Sequence, residues 1–554
     1  MDVTWLVDSI GLYRLRPNLA FGYNTRSTRQ TSRVARRDLA KMPTDKISEL
    51  LKNRERLKLG GGLERAARQH NSGKLTARER VTLLLDRDSF QEAGLFAKHS
   101  GKFFGMVDKD LPADGVVTGR GRIGGRPVHI ASQDFTVAGG SAGEVHANKI
   151  ADTMKAAMRT GTPFMFINDS GGARVQEGVA ALSGYARIFH QNVMLSGLVP
   201  QISLICGPCA GGAAYSPALT DFIIQTRDGL MFITGPTVIK QVTGEIVSAQ
   251  ELGGVRAQMN KSGVVHFVAE NDVEAVEICK RLLGFLPSNN KEDPPRGEPD
   301  DTRMHEPRLN DVVPLEPKTG YDVRDVISLI VDRYDFLEVH AEFARNLVVG
   351  FGRICGTTVG IVANQPKVLA GALDIDASDK GAGFVRFCNA FNIPLVTFVD
   401  IPGFLPGVNQ EYGGIIRHGA KLLFAYSAST VPKITVILRK AYGGGYIAMC
   451  AKDLGADCTL AWPSAEIAVM GAEAAVEIVF HSELVEAENT QAKRQDLIQD
   501  YRETFYTPYV AAACRLVDDI IEPAQTRGYL AEALDALSSK RDWRPAKKHG
   551  LIPL

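Results

Sequence analysis

Two glycine turns stand at matching places in the two halves of this 554-residue chain, and their backbone could bind an oxyanion. Apolar runs of the same pattern end at Gly211-Gly212 in the first half and at Gly444-Gly445 in the second. Each arrangement predicts a strand, a tight turn and a helix whose N-terminus presents free N–H groups. Two such sites indicate a reaction in which two carbonyl oxygens both gain negative charge.

The turns belong to an internal repeat. Residues 199–212 recur as residues 431–445, and residues 162–171 recur as residues 393–403. Apolar strands alternate with amphipathic helices in both halves, which predicts an α/β fold with largely parallel strands. We expect strands at 116–121, 128–132, 359–364, 395–400 and 433–438, and helices at 77–85 and 145–158. Ser378 is predicted to be the N-cap of a helix that carries four buried side chains, namely Phe384, Phe387, Cys388 and Phe391.

Composition excludes several classes of protein. The net charge of +1 argues against binding to nucleic acid or to an anionic membrane surface. No apolar run approaches the roughly 20 residues that cross a bilayer. Eight scattered cysteines without a secretory signal indicate reduced thiols and a cytoplasmic protein.

Changes in composition predict the domain organisation. Residues 1–41 are rich in arginine, and we expect a disordered extension. A start at Met42 or a mitochondrial presequence are the alternatives, although acidic residues in the segment count against a presequence. Residues 42–290 form the predicted N-terminal domain, 291–317 a semi-rigid, solvent-exposed linker rich in proline, and 318–554 the C-terminal domain.

Several catalytic signatures fail. The Cys206-Gly207-Pro208-Cys209 motif has thioredoxin-type spacing, but the second copy of the repeat has no cysteine there. Lys155 follows a methionine, as a biotinylated lysine does, yet it lies in a predicted helix. The sequence has no second cysteine pair for zinc, no phosphate-binding loop and no serine nucleophile elbow. We therefore expect no bound metal, no covalently attached biotin and no side-chain general base.

Nine segments carry recognisable motifs, namely residues 73–80, 132–137, 168–178, 215–221, 231–236, 402–407, 410–416, 440–444 and 547–550. Together they resemble the carboxyltransferase subunit of biotin-dependent acyl-CoA carboxylases. The resemblance extends from about residue 46 to the C-terminus.

The resemblance implies two tandem crotonase-type domains, each a superhelix of ββα units. In that family six subunits form a ring of dimers, and each active site lies between the N-domain of one subunit and the C-domain of another. The implied partners are an acyl-CoA substrate, a biotin carboxylase and a carrier protein that bears the biotin cofactor. Gly211 and Gly212 would bind the thioester oxygen, and Gly444 and Gly445 the ureido oxygen of biotin. The remaining implied contacts are Gly171, Gly172, Ala173, Arg174, Ala138 and Ala142 on the acyl-CoA side, Tyr446 and Ile447 near the acyl group, and Gly413, Gly414 and Gly443 on the biotin side.

Departures from the family pattern bear on the substrate. Ile447 stands where propionyl-selective relatives usually have aspartate, and Ala138 and Ala142 stand where relatives often have larger side chains. These differences imply a carboxyl transfer to short acyl-CoAs, with acetyl-CoA, propionyl-CoA and longer chains all open. Residues 446–450 also resemble the carboxyltransferase subunit of sodium-pumping methylmalonyl-CoA decarboxylases, which is the alternative function. A CoA-binding scaffold without activity is the non-enzymatic alternative.

Overall fold

The computed structural model describes residues 44–300, 304–316 and 319–554. The predicted extension, residues 1–41, lies outside the described residues. The chain divides into two compact units between Lys52 and Asn53. Of the first unit, residues 44–52 are described, and they begin the first helix.

Strands of the N-terminal half form one sheet of the order β1-β2-β3-β4-β5-β6-β8, with β7 paired to β5. The first three strands are antiparallel and the others are parallel. The strands are β1 (Gln91–Ala93), β2 (Val116–Ile123), β3 (Arg126–Gln133), β4 (Phe164–Ser170), β5 (Gln201–Ala210), β6 (Phe222–Thr226), β7 (Leu230–Phe232) and β8 (Phe267–Ala269). The helices are α1 (Thr44–Lys58), α2 (Leu63–Asn71), α3 (Ala77–Leu84), α4 (Glu144–Thr160), α5 (Val179–Leu195), α6 (Gly212–Ala218), α7 (Pro236–Thr243), α8 (Ala249–Gly253), α9 (Val255–Asn260) and α10 (Asp272–Leu283).

The C-terminal half repeats this topology in the order β16-β14-β13-β12-β11-β10-β9, with β15 paired to β13. Its strands are β9 (Leu337–Val339), β10 (Leu347–Ile354), β11 (Thr357–Asn364), β12 (Leu395–Ile401), β13 (Lys433–Tyr442), β14 (Cys458–Ala461), β15 (Glu466–Ala468) and β16 (Asp519–Ile520). Its helices are α11 (Val323–Ile330), α12 (Ile375–Ala390), α13 (Val408–Gly413), α14 (Ile415–Ala428), α15 (Gly443–Ala448), α16 (Ala472–Val479), α17 (His481–Glu486), α18 (Thr490–Phe505), α19 (Pro508–Ala513) and α20 (Thr526–Ala536). The predicted α/β fold with largely parallel strands is thus confirmed.

Local chemistry explains the helix boundaries. α3 begins at a capping box, in which the Thr76 hydroxyl accepts from the Glu79 amide and the Glu79 carboxylate accepts from the Thr76 amide. α4 ends at Gly161, whose φ of 62° is the left-handed conformation that favours glycine. The predicted N-cap at Ser378 is wrong. Asp374 caps α12 instead, because its carboxylate accepts from the Ala377 amide at 2.9 Å and so places Ser378 inside the helix.

One hydrophobic core joins the two sheets. Phe222 of β6 contacts Phe351 of β10 and Phe387 of α12, with ring centroids 6.0 Å and 4.6 Å apart. The two halves of the repeat therefore pack against each other through a shared hydrophobic core and are not independent domains joined only by a linker. The proline-rich stretch is also less exposed than predicted, because Leu309 and Val313 are buried in the core of the C-terminal half.

Candidate functional site

The first glycine turn connects β5 to α6. Gly211 has a φ of 60°, and its amide donates to the Phe232 carbonyl at 3.0 Å. The next residues, Gly212 and Ala213, are the first two of α6. An α-helix supplies no acceptor for the amides of its first turn, so the helix leaves these two amides available to a ligand.

The second turn has the same construction between β13 and α15. Gly443 has a φ of 58° and corresponds to Gly211, and Gly444 and Gly445 follow it in the first turn of α15. A Cβ atom on Gly443 would lie 2.8 Å from a backbone carbonyl, so only glycine fits without a shift.

This correspondence corrects the sequence alignment by one residue. Gly444 and Gly445 match Gly212 and Ala213, not Gly211 and Gly212. The Gly211 amide already has an acceptor, so Gly211 shapes the turn and does not donate to a substrate. A sequence gives no sign of this, because the accepting carbonyl belongs to another strand.

A second glycine loop flanks each turn. In the N-terminal half, Gly172 has a φ of 98°, and a Cβ there would lie 2.8 Å from the Ala210 carbonyl oxygen. In the C-terminal half, Gly403 has a φ of 138° and lies so close that a Cβ on Gly445 would approach its Cα to 2.9 Å. Each turn and its neighbouring loop are therefore packed backbone to backbone.

The implied acyl-side residues lie in this loop region, although not all of them face solvent. Gly171 donates its amide to the Gly139 carbonyl at 3.0 Å, and Gly171 and Ala138 are exposed. Ala142 is fully buried and pairs with the loop at Ala173 through a β-bridge. In this chain, Ala142 thus supports the loop, and only Ala138 of the two alanines meets an open surface.

Arg174 is also buried, in an ion-pair network. Its Nη1 atom lies 2.5 Å from Asp114 Oδ1 and 2.8 Å from Glu177 Oε1, and its Nη2 donates to the Ser141 carbonyl at 2.7 Å. Burial raises the pKa of Asp114, which the Arg174 guanidinium opposes. The guanidinium is buried and joins two loops, so Arg174 holds the acyl-side loops together.

On the biotin side, the implied residues belong to α15 and to the junction of α13 and α14. Tyr446 is buried, and among the described residues nothing bonds to its hydroxyl. Ile447 is 46% exposed on the same short helix. Gly414 has a φ of 93° and is the N-cap of α14, and Gly413 precedes it on the surface.

The two cysteines of the thioredoxin-like motif are inert. Cys206 and Cys209 are buried, and burial raises the pKa of both thiols. The Cys209 thiol donates to the Ala213 carbonyl at 3.0 Å and so braces the first turn. A protonated, buried thiol is a poor nucleophile, which agrees with the rejection of redox chemistry.

A cavity of about 660 Å³ lies away from both turns. It opens where β11, β12 and β13 begin, whereas the glycine turn follows the end of β13. Thr357, Pro394 and Pro432 line it together with the segment after α20. The cavity therefore plays no part in the candidate site.

Sequence reasoning missed two buried ion pairs behind the turns, Arg80 with Asp169 and Arg439 with Asp400. One signal was present, because Asp169 and Asp400 occupy the same position in the repeat. Their arginines come from different places in the chain, so no repeat pattern reveals them.

Comparison with known proteins identifies the family. The model of the carboxyl transferase domain family matches residues 68–552. The chain belongs to this family. It is therefore an enzyme, a carboxyltransferase of the biotin-dependent acyl-CoA carboxylase type, as the sequence motifs predicted.

Three relatives of this chain align with it over most of their length. The methylmalonyl-CoA carboxyltransferase 12S subunit of Propionibacterium freudenreichii subsp. shermanii is 59% identical, covering 93% of this chain and 98% of the relative. The propionyl-CoA carboxylase carboxyltransferase subunit of Haloferax mediterranei is 54% identical, covering 92% and 99%. The methylmalonyl-CoA decarboxylase subunit alpha of Propionigenium modestum is 53% identical, covering 92% and 99%.

A crystal structure of the transcarboxylase 12S hexamer, with methylmalonyl-coenzyme A and methylmalonic acid bound, has the same fold as this carboxyltransferase. The TM-score is 0.91 at 59% identity, covering 93% of this chain and 99% of the other. Within the described part of the chain, no helix combines the length and apolarity that a membrane crossing needs.

Proposed function

We propose that this carboxyltransferase moves a carboxyl group from carboxybiotin, borne by a separate carrier protein, to the α-carbon of a short-chain acyl-CoA. The observation that supports the proposal is the pair of equivalent glycine turns. The N-terminal turn, through Gly212 and Ala213, binds the thioester oxygen as negative charge develops on it. The C-terminal turn, through Gly444 and Gly445, binds the ureido oxygen of biotin.

The C-terminal turn is open enough for this role. A Cβ on Gly444 would meet only the Phe404 ring, at 3.8 Å, and Gly444 itself is exposed. Carboxybiotin, when bound, would supply the CO₂, and the biotin that remains would supply the base for the α-proton. The chain then needs only to orient the two oxygens and stabilise their charge. Each backbone donor of this kind is worth roughly 10²–10³ in rate.

The direct test uses the full-length protein with free biotin. Methylmalonyl-CoA or malonyl-CoA is incubated with biotin, which accepts the carboxyl group, and loss of the carboxylated CoA ester is followed by chromatography. We expect biotin-dependent conversion to propionyl-CoA or acetyl-CoA. Binding of CoA esters with no biotin-dependent conversion would instead support the scaffold alternative.

The substrate range is proposed from Ile447. An apolar wall discriminates between chain lengths by shape alone, at roughly 1–3 kcal/mol per methylene. We therefore propose use of acetyl-, propionyl- and butyryl-CoA. Rates with each, measured under the same conditions, would test this range.

Exposed apolar side chains beside both turns support a homohexamer in which each site is completed by a second copy. Val175 and Val179 follow the acyl-side loop and are at least 80% exposed, as are Tyr412 of α13 and Ile416 of α14. Large apolar side chains in this number favour a protein interface. Sedimentation at micromolar concentration should give the hexamer mass, and a fully active monomer would contradict the shared site.

The same half-reaction run backwards is the second candidate function, favoured by the identity to a methylmalonyl-CoA decarboxylase subunit. The direction of carboxyl transfer depends on whether a partner protein adds a carboxyl group to the biotin of the carrier or removes it. Co-purification with a biotin carboxylase supports carboxylation, and co-purification with a membrane sodium pump supports decarboxylation.

We also propose that residues 42–290 and 318–554 are two crotonase-type domains.

A further inference from the structure

A bulge interrupts β5 just before the first glycine turn. Asn168 of β4 faces Ile205, but Ser170, two residues later, faces Cys209. The residues of β5 between Ile205 and Cys209 thus lie opposite Asp169 alone. Bulges of this kind redirect a strand, and they are common next to active sites.

The second sheet has the same bulge in β13. Val399 faces Ile437, but Ile401 faces Ala441, so three residues of β13 lie opposite Asp400. The bulge is therefore a property of the repeat. It is not an irregularity of one copy.

Each bulge changes the partner of the strand that delivers the turn. Before the bulge β5 pairs with β6. From Pro208, the last residue of the bulge, to Ala210 it pairs with β7. In the same way β13 pairs first with β14 and then with β15. The direction in which each strand carries its glycine turn is therefore set at the bulge.

A buried ion pair fills the first bulge. Asp169 Oδ2 accepts from Arg80 Nη1 and from Gln69 Nε2, both at 2.9 Å. Arg80 also donates through Nη2 to the Cys206 carbonyl at 3.1 Å and through Nε to Asp272 Oδ2 at 2.8 Å. One guanidinium thus joins the ends of β4, the bulge of β5 and the start of α10.

A second buried pair fills the other bulge. Arg439 Nε lies 3.0 Å from Asp400 Oδ2, and Asp400 Oδ1 accepts from the Lys440 amide at 3.2 Å. The Arg439 guanidinium also holds the incoming chain, because Nη1 donates to the carbonyls of Pro314, Glu316 and Thr319.

The two halves assemble this pair from different parts. Arg80 reaches its bulge from α3, whereas Arg439 lies within the bulge of β13 itself. Gly207 takes the place of Arg439 in the first half, and a Cβ there would lie 2.0 Å from Asp169 Oδ1. What the two halves share is an aspartate with an arginine, not a particular chain segment, which indicates that the bulge requires the pair.

We propose that Asp169 with Arg80, and Asp400 with Arg439, are positioning pairs that hold the two bulges and so aim the oxyanion donors of the two glycine turns. The proposal rests on the carboxyltransferase function proposed above. Neither aspartate touches a substrate. Each acts through the strand that carries its turn.

A third buried pair provides a matched control. Arg527 Nη2 lies 2.6 Å from Asp332 Oδ1, and both side chains are buried. Asp332 accepts from the amides of Cys355 and Gly356, at the edge of the sheet where β11 begins. Loss of this carboxylate breaks a buried aspartate–arginine pair, as at the bulges, but at the opposite edge from the turns.

The experiment compares Asp169→Asn, Asp400→Asn and Asp332→Asn in the full-length protein. All three should lower the thermal midpoint. We expect the two bulge variants to lower kcat for biotin-dependent decarboxylation of methylmalonyl-CoA by roughly 10- to 100-fold with little change in KM, since a donor misplaced by about 1 Å costs up to ~10²-fold. Asp332→Asn should keep kcat within about threefold of wild type.

Hydrogen exchange gives a readout that does not depend on activity. Asp169→Asn should speed exchange of amides in residues 207–214 but not in 439–446, and Asp400→Asn should do the reverse. If Asp169→Asn does not fold, Gly207→Ala displaces the same carboxylate without removing a charge and should have the same local effect. Equal kcat and equal exchange in bulge and control variants would overturn the inference. If the wild-type protein is inactive but each bulge variant speeds exchange only at its own turn, the positioning role of the pairs stands and the proposed carboxyltransferase function is rejected.

Discussion

Gly445→Ala tests most directly whether the second turn is a catalytic donor. A Cβ at this position would lie 2.8 Å from Ile401 Cδ1, 2.9 Å from Gly403 Cα and 3.0 Å from the Gly403 carbonyl carbon. Carbon atoms not bonded to each other rest at about 3.5–4.0 Å. The Gly403 backbone cannot rotate aside as a side chain can. The turn must therefore move by roughly 0.5–1 Å away from its neighbouring loop.

That displacement sets the size of the expected effect. A reacting group misplaced by about 1 Å loses up to ~10²-fold in rate, and removal of a whole oxyanion donor costs roughly 10²–10³-fold. We expect kcat/KM for biotin-dependent decarboxylation of methylmalonyl-CoA to fall by about 10²-fold. Circular dichroism and sedimentation would establish that the variant is folded and assembled.

Gly383→Ala is the matched control. Gly383 is an exposed residue inside α12, and a Cβ there would meet nothing within 4 Å. Alanine should stabilise the helix by up to about 1 kcal/mol and leave kcat/KM unchanged. A Gly445→Ala enzyme that is folded and within about threefold of wild type would refute the donor assignment.

Three further outcomes are expected. Burial lowers the pKa of His146 to about 3, so the free energy of unfolding should fall as the pH drops from about 6.5 toward 3, by up to ~1.4 kcal/mol per pH unit. Urea titrations at pH 7 and pH 5 measure this loss of stability, which should be smaller in His146→Gln than in wild type. Equal losses in the two proteins would contradict the assignment. Arg174→Ala leaves two buried carboxylates unpaired and should cost roughly 3–5 kcal/mol, seen as a lower urea midpoint. Ile447→Asp should shift the kcat/KM ratio toward propionyl-CoA with little loss of stability, because the site is half exposed; an unchanged ratio would place selectivity elsewhere, with Ala138 the next candidate.

Local sequence patterns were sufficient to predict most of the secondary structure. The strands predicted at 395–400 and 433–438 are correct because apolar runs flanked by proline and glycine have few other conformations open to them. The helix around Phe384 was also predicted from its spacing. Its start was wrong, because serine and aspartate are both good caps and only the backbone geometry selected Asp374.

The sequence by itself determined that two equivalent glycine turns follow two buried strands, since a repeat and its turn residues are written in order along the chain. It also determined the family, through motifs spread over both halves. The roles of the individual turn amides stay predictions until they are tested by substitution.

Only the tertiary structure decided that the first amide of the first turn has an acceptor, and which side chains lie behind each turn. The Gly211 amide is taken by a carbonyl of β7, and Asp169 meets an arginine from α3. Hydrogen bonds and buried ion pairs depend on groups that folding brings together from distant parts of the chain. No local sequence pattern shows which distant groups folding brings into contact. The hydrogen-bond acceptor of the Gly211 amide and the arginine partners of Asp169 and Asp400 could therefore be identified only in the folded structure.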